Sequence, residues 1–146
     1  MTTTISEATQ DHLGQVLHWL KLEQEELLEG FYCNKEIICS SFAAREMQCL
    51  LKDGHPIGFG IFHIKPSGTA SIDILEIHPL HRGSGHGTEL AKNLIGHLLR
   101  SGSTHVSVQC APRSSESFWR KLGFVDKPSR FPQFPPIVLW LPGQAA

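Results

Sequence analysis

The sequence predicts a mixed α/β fold, one sheet carrying both antiparallel and parallel strands, on three observations. Asp53-Gly54-His55 separates two strand-like runs early in the chain, a hairpin signal. Later, two strand-like runs flank a strongly amphipathic helix, and the connection of more than 20 residues between them suits a parallel pairing. Finally, 146 residues, 40% hydrophobic and 18% charged, make one ordinary domain over residues 1–146 with enough apolar material for a packed core.

The elements follow in order. Thr3–Glu7 reads as a short strand, and Thr9 or Asp11 can cap the helix after it. Leu13, Val16, Leu17 and Leu20 recur at helical spacing, which puts them on one buried stripe. Glu23, Glu25, Glu26 and Glu29 then read as a solvated helix face or as an attractor for a polyamine or basic peptide, and Gly30 is placed to end the segment. A less regular helix covers residues 34–44. Met47–Lys52 and residues 56–64 are the strands of the hairpin, Pro66-Ser67-Gly68 makes the next turn, and Thr69–Ile77 is a further strand that Pro79 stops. Leu90, Ala91, Leu94, Ile95, Leu98 and Leu99 form a helical stripe closed by Gly102. Residues 106–110 are a strand, 114–121 a short helix, and 123–126 and 137–141 the last strands. The prolines from 128 to 136 place that stretch in a loop or at an edge, since they cannot donate to a central ladder.

Composition narrows the function classes. Thirteen Lys and Arg against 14 Asp and Glu give a formal charge of −1, without the broad basic footprint of a nucleic-acid or anionic-membrane binder. No apolar run approaches the roughly 20 residues that span a bilayer, so no membrane partner is expected. The first ten residues lack a basic start followed by an apolar stretch, and Cys33, Cys39, Cys49 and Cys110 form no C-x-x-C pair. A cytoplasmic protein with reduced thiols is the expectation. His78, His81 and His86 cluster in sequence without the spacing of a metal site, and no metal is expected.

The informative segment runs from Ile72 through Glu76-Ile77-His78-Pro79 to Arg82-Gly83-Ser84-Gly85-His86-Gly87-Thr88. A strand feeds a loop whose Gly83, Gly85 and Gly87 can take positive φ and converge their N–H groups on an anion. A helix start follows directly and adds unpaired donors with partial positive charge. A P-loop would require Gly-Lys-Ser/Thr where the helix opens Gly87-Thr88-Glu89, and a dinucleotide fingerprint would require glycine at 88. The loop is therefore read as a phosphate cradle of another kind.

Arg82-Gly83-Ser84-Gly85-His86-Gly87 resembles the acetyl-CoA-binding motif R/Q-x-x-G-x-G/A of the GNAT superfamily of N-acetyltransferases. Ile77-His78-Pro79 is similar to the hydrophobic-x-Pro entry of that family, and Ser117-Phe118-Trp119-Arg120-Lys121-Leu122-Gly123-Phe124 to its F-Y-x-K-L-G-F segment. Ile5-Ser6-Glu7-Ala8-Thr9-Gln10-Asp11 looks like its opening, so the resemblance covers almost the whole chain in order. It implies a mixed sheet of six to seven strands, splayed between the fourth and fifth, with about four helices. It also implies acetyl-CoA as cosubstrate and no metal. Arg82, Gly83, Ser84, Gly85, His86, Gly87 and Thr88 would surround the pyrophosphate, Leu75, Glu76 and Ile77 would follow the pantetheine arm, and Trp119 would complete the cofactor set.

An acceptor amine with a pKa near 10.4 must lose a proton before attack, which costs about 4.6 kcal/mol at pH 7. Strand alternation puts Ser71, Asp73, Leu75 and Ile77 on one face and Glu76 on the other. Asp73, which resembles the position of an acidic base in some members of the family, and Glu76 are the candidate bases. Trp119 stands where the family usually has tyrosine, and an indole N–H cannot surrender its proton at useful pH. The thiolate then leaves unassisted, or Tyr32 or Cys110 supplies the proton, although a small buried hydrophobe is the plainer reading of Cys110.

The resemblance places the acceptor opposite the cofactor, near the N-terminal helices, residues 30–35 and residues 131–140. Phe131, Phe134 and Trp140 line a pocket or a homodimer contact. The expected function is direct acetyl transfer from acetyl-CoA to a primary amine of a small molecule. The alternatives are a protein or peptide N-acetyltransferase and a non-catalytic acyl-CoA-binding module.

Overall fold

Asp53 and Gly54 both take left-handed φ, 52° and 78°, the two-residue geometry that joins antiparallel strands without splaying them. In the computed structural model, which describes residues 2–27, 32–110, 113–128, 133 and 137–142, that turn joins β2 (Met47–Lys52) to β3 (His55–Ile64). Among the described residues the other strands are β1 (Thr3–Glu7), β4 (Thr69–Ile77), β5 (His105–Gln109), β6 (Val125–Asp126) and β7 (Val138–Pro142). The helices are α1 (Gln10–Leu27), α2 (Lys35–Ala43), α3 (His86–Arg100) and α4 (Glu116–Lys121). The strands form one mixed seven-stranded sheet in the order β1-β2-β3-β4-β5-β7-β6, the class expected from the sequence. The chain divides into two compact units, Met1–Phe62 with Ile74–Asn93, and His63–Asp73 with Leu94–Ala146.

In the first unit, β1 runs antiparallel to β2 from Thr3↔Lys52 to Glu7↔Gln48, and β2 runs antiparallel to β3 with a register shift between Leu50 and Leu51. Of the two candidate caps of α1, Thr9 is the one used: its hydroxyl accepts from the His12 N–H, and His12 Nδ1 accepts from the Thr9 N–H, both at 3.2 Å. The predicted stripe of α1 is buried, with Val16 and Leu20 fully enclosed and Leu13 and Leu17 packed beside them. Trp19 joins that cluster, together with Ile38 of α2, Met47 and Cys49 of β2, and Phe59 and Ile61 of β3. Each large apolar side chain buried here contributes about 1.5–3 kcal/mol. Gly30 and Glu29 lie outside the described residues.

In the second unit, β4 and β5 pair in parallel from Thr69↔His105 to Ile72↔Val108, and β4 continues to Ile77 beyond the last pair. β7 is antiparallel to β5, and β6 to β7. Gly102 ends α3 at φ 95°, with Ser103 N–H bonded to Leu98 and Gly102 N–H to Leu99. Gly123 closes α4 the same way at φ 101°, and those closing bonds take Gly123 and Phe124, so β6 begins at Val125 rather than at 123. Other boundaries move by one or two residues. β5 spans 105–109, leaving Cys110 just past the strand with its N–H on Ile137; β7 spans 138–142; and a 3-10 turn over Arg113–Ser115 delays α4 to Glu116. Of the proline stretch, Pro128 is exposed coil and Gln133 brackets Val138 with paired side-chain bonds of 2.9 and 3.0 Å. Phe131 and Phe134 lie outside the described residues.

Candidate functional site

The site is built where β4 ends. Along β4, Ala70, Ile72, Ile74 and Glu76 are buried while Asp73 is exposed and Ser71 and Leu75 are half-buried, the alternation of a strand. Ile77 departs from the expected face pattern, because it is buried as well. Its side chain lies in the space that a Cβ on Gly58 of β3 would need: such an atom would sit 2.5 Å from Ile77 Cδ1 and 3.3 Å from the Glu76 carbonyl oxygen.

After Ile77, the His78 N–H donates to the Ile57 carbonyl at 2.7 Å, and His78 Nδ1 accepts from the Leu80 N–H, capping a 3-10 turn over Pro79–His81. The chain then extends at Arg82 and turns through Gly83 and Gly85, at φ 87° and 83°. α3 starts at His86, its first ladder bond running from Glu89 N–H to the Gly85 carbonyl. Among the described residues, the N–H groups of Gly83, Ser84 and Gly85 find no backbone acceptor, and those of His86, Gly87 and Thr88 are the unpaired donors of a helix start. A Cβ at Gly83 or Gly85 would meet nothing within 4 Å, so the loop is open on that side. Backbone N–H groups without acceptors, left-handed glycines and a helix start fit a pyrophosphate.

Arg82 turns its guanidinium inward. Nε donates to the Ile77 carbonyl at 2.8 Å, and Nη2 donates to Glu23 Oε2 at 2.7 Å and to Glu76 Oε1 at 2.9 Å. Both carboxyl groups are buried, with side chains 3% and 6% exposed. Burial first, then the neighbouring Glu23, pushes the Glu76 carboxyl up to about 9, so Glu76 is protonated at neutral pH. Glu23 Oε1 and Glu76 Oε2 are buried with no hydrogen-bond partner among the described residues, and a proton on Glu76 supplies the donor that two carboxylates lack.

The sequence grouped Glu23 with its neighbouring glutamates and did not foresee its contact with Arg82. Glu25 and Glu26 occupy the expected solvated face, whereas Glu23 falls on the buried stripe, seven residues after Val16 and four after Trp19. That spacing was a signal: a carboxylate on an apolar stripe calls for a cationic partner.

The other candidates have surroundings of their own. Asp73 accepts a 2.8 Å bond from the Ser71 hydroxyl. Tyr32 sits in a 3-10 turn, half-buried against the α1 and α2 core, with Lys35 Nζ 5.9 Å from its ring centre. Trp119 is buried in α4, edge-on to Phe124 at 5.3 Å and to Phe118 at 4.9 Å. Cys110 is buried, and burial raises its thiol above the usual range, which makes it a poor nucleophile or proton donor. Asp73, Cys110 and Trp119 belong to the second unit and the glycine loop to the first. Separately, a cavity of about 850 Å³ is lined by Gln15, His18 and Trp19 of α1, by His55 of β3, and by His78 and His81, and takes in none of Arg82 to Thr88. Burial and the neighbouring His81 hold the His78 imidazole below its usual range.

The chain belongs to the acetyltransferase (GNAT) family, whose model matches residues 13–124. Its fold is that of solved GNAT structures. The ribosomal-protein-S18-alanine N-acetyltransferase from Escherichia coli matches at 19% identity and TM-score 0.76, over 99% of this chain and 97% of that one. The PaiA N-acetyltransferase from Thermoplasma acidophilum, in complex with coenzyme A, matches at 15% identity and TM-score 0.74, over 97% and 99%. N-acetylglutamate synthase from Neisseria gonorrhoeae, complexed with coenzyme A and N-acetyl-glutamate, matches at 14% identity and TM-score 0.78, over 99% of this chain and 36% of that one. No curated protein sequence matches the chain.

Proposed function

We propose that this chain is a cytoplasmic acetyl-CoA-dependent N-acetyltransferase that moves the acetyl group directly to the primary amine of a small molecule. The observation that carries the reading is the loop from Arg82 to Thr88, with its left-handed glycines and backbone N–H groups lacking acceptors at the start of α3. Gly83 to Thr88 receive the pyrophosphate through those amides, and the β4 edge at Leu75 and Ile77 offers backbone partners to the pantetheine arm. Bound acetyl-CoA supplies the thioester carbonyl that the amine attacks. Asp73, the exposed carboxylate of β4, takes the ammonium proton directly or through water, while Glu76, protonated and held to Arg82, does not serve as base. Trp119 and the buried Cys110 offer no acidic proton, so the thiolate departs without one from either. A reducing compartment would keep Cys39, Cys49 and Cys110 as free thiols.

The Neisseria structure, which holds N-acetyl-glutamate, favours a small acceptor. The Escherichia coli enzyme, matched over 97% of its length and named for a protein alanine, favours a protein amine as the second reading.

The test is calorimetric titration with acetyl-CoA of the native protein and of Gly85→Glu, whose side chain must take a left-handed φ and carries a charge that repels phosphate. Binding by the native protein, lost in a correctly folded variant, supports the assignment, and release of CoA with an amine completes it. No binding by folded native protein overturns it, and binding without CoA release from any amine leaves a binding module in place of an enzyme.

A further inference from the structure

We propose that Glu23 is a positioning residue for the phosphate loop, acting from α1 through the Arg82 guanidinium that it shares with Glu76. The inference rests on the acetyl-CoA reading for its purpose, and on geometry alone for the brace itself.

Arg82 immediately precedes the first left-handed glycine, so wherever its guanidinium is fixed, the entry to the loop is fixed too. Three contacts fix it: Nε on the Ile77 carbonyl, and Nη2 on carboxyl groups from two elements, Glu76 in β4 and Glu23 in α1. Glu23 lies 59 residues from Arg82 in sequence, so this contact ties the loop to a helix that no local turn connects to it. Nη1 has no partner among the described residues, and the Arg82 side chain is 46% exposed, so the brace uses one edge of the guanidinium and leaves the other to solvent.

The charge count suits a brace beneath an anion site. Two ionised carboxylates against one guanidinium would leave a net negative charge next to the loop and repel a pyrophosphate. With one proton on the carboxyl pair, the cluster of Glu23, Glu76 and Arg82 is neutral. His78 and His81 lie close by on the turn before Arg82, and His78, held neutral, adds no charge. Arg82 therefore serves the loop by orienting it, and the amides are left to meet the phosphate.

The test compares Glu23→Met, which removes the acceptor at similar size, with Glu23→Gln, which keeps an acceptor, and with Glu25→Met at the exposed neighbouring position as control. Two readings are taken: the coenzyme A dissociation constant by calorimetry, and the ¹⁵N order parameters of the Gly83 and Gly85 amides in the ligand-free protein. Glu23→Met is expected to weaken coenzyme A binding about tenfold, the scale of one lost charge-assisted hydrogen bond. It should also lower both order parameters from the rigid range near about 0.85 toward about 0.6, with Glu23→Gln restoring most of both and Glu25→Met changing neither. Unchanged loop amides in Glu23→Met overturn the brace. Should that variant fail to fold, Arg82→Lys keeps the charge, cannot reproduce the Nε and Nη2 contacts, and must loosen the same two amides. If the native protein binds no coenzyme A, the acetyl-CoA reading falls, and the order parameters still decide the brace.

Discussion

Two carboxylates on one strand, three residues apart, have opposite circumstances. Asp73 is exposed and accepts from Ser71, whereas Glu76 is enclosed and holds a proton at neutral pH. In the proposed transfer, an amine that must shed a proton at a cost of about 4.6 kcal/mol would be served by the first and not by the second. Asp73→Asn keeps an oxygen for the Ser71 hydroxyl and loses the base, so kcat is expected to fall about 10²-fold or more near pH 7. The rate should recover as alkaline pH deprotonates the amine without help. A pH-rate profile superimposable on that of the native enzyme would remove Asp73 from the mechanism. Alternation put the two residues on opposite faces of β4 but did not say that Glu76 would share the Arg82 guanidinium with Glu23 from a distant helix.

At the scale of elements, the edges of β1, β2 and β4 were legible to the residue, because alternation and the turn residues Asp53-Gly54 and Pro66-Ser67-Gly68 bound them sharply. Boundaries slipped at α4 and β6, where a 3-10 turn and a closing pair of i−3 and i−5 bonds use residues that look helical or strand-like one at a time. The glycine loop was legible at Gly83 and Gly85 because the signal is local, whereas Gly87 takes no left-handed φ and belongs to α3, which starts one residue before it at His86. The brace was not legible, since its α1 member lies 59 residues from Arg82 and reads as one of several glutamates. Gly58 was likewise silent in the sequence, and its reason is the close approach of β3 to Ile77 and Glu76. Gly58→Ala would press a methyl group against Ile77 Cδ1 and the Glu76 carbonyl oxygen, of which only the side chain can yield. A destabilisation of about 1–3 kcal/mol is expected, read as a lower midpoint in thermal unfolding with acetyl-CoA absent. An unchanged midpoint would mean that Ile77 has a second rotamer to move into.

For the whole molecule, Glu76 sets part of the dependence of stability on pH. Its carboxyl sits at about 9 in the fold against 4.5 as the ordinary value, so between those limits the native state holds a proton that the unfolded chain has released. Stability from this group is complete below about 4.5, declines as pH rises, and is gone above about 9. Glu76→Gln keeps an oxygen for Arg82 and an N–H for Glu23 but cannot ionise. Its melting temperature relative to the native protein is expected to rise steadily from pH 5 to pH 9, and parallel curves would show that Glu76 is already ionised in the fold. A different long-range tie governs the parallel pair. The Gly68 carbonyl receives both the N–H of Thr104, at 2.7 Å, and its hydroxyl, at 3.1 Å, immediately before β4 and β5 begin together at Thr69↔His105. That double attachment sets the zero of the ladder. A slip of one residue there would exchange the half-buried Ser71 and the exposed Asp73 with the enclosed Ala70 and Ile72, so one threonine outside the strand determines which side chains of β4 the solvent meets.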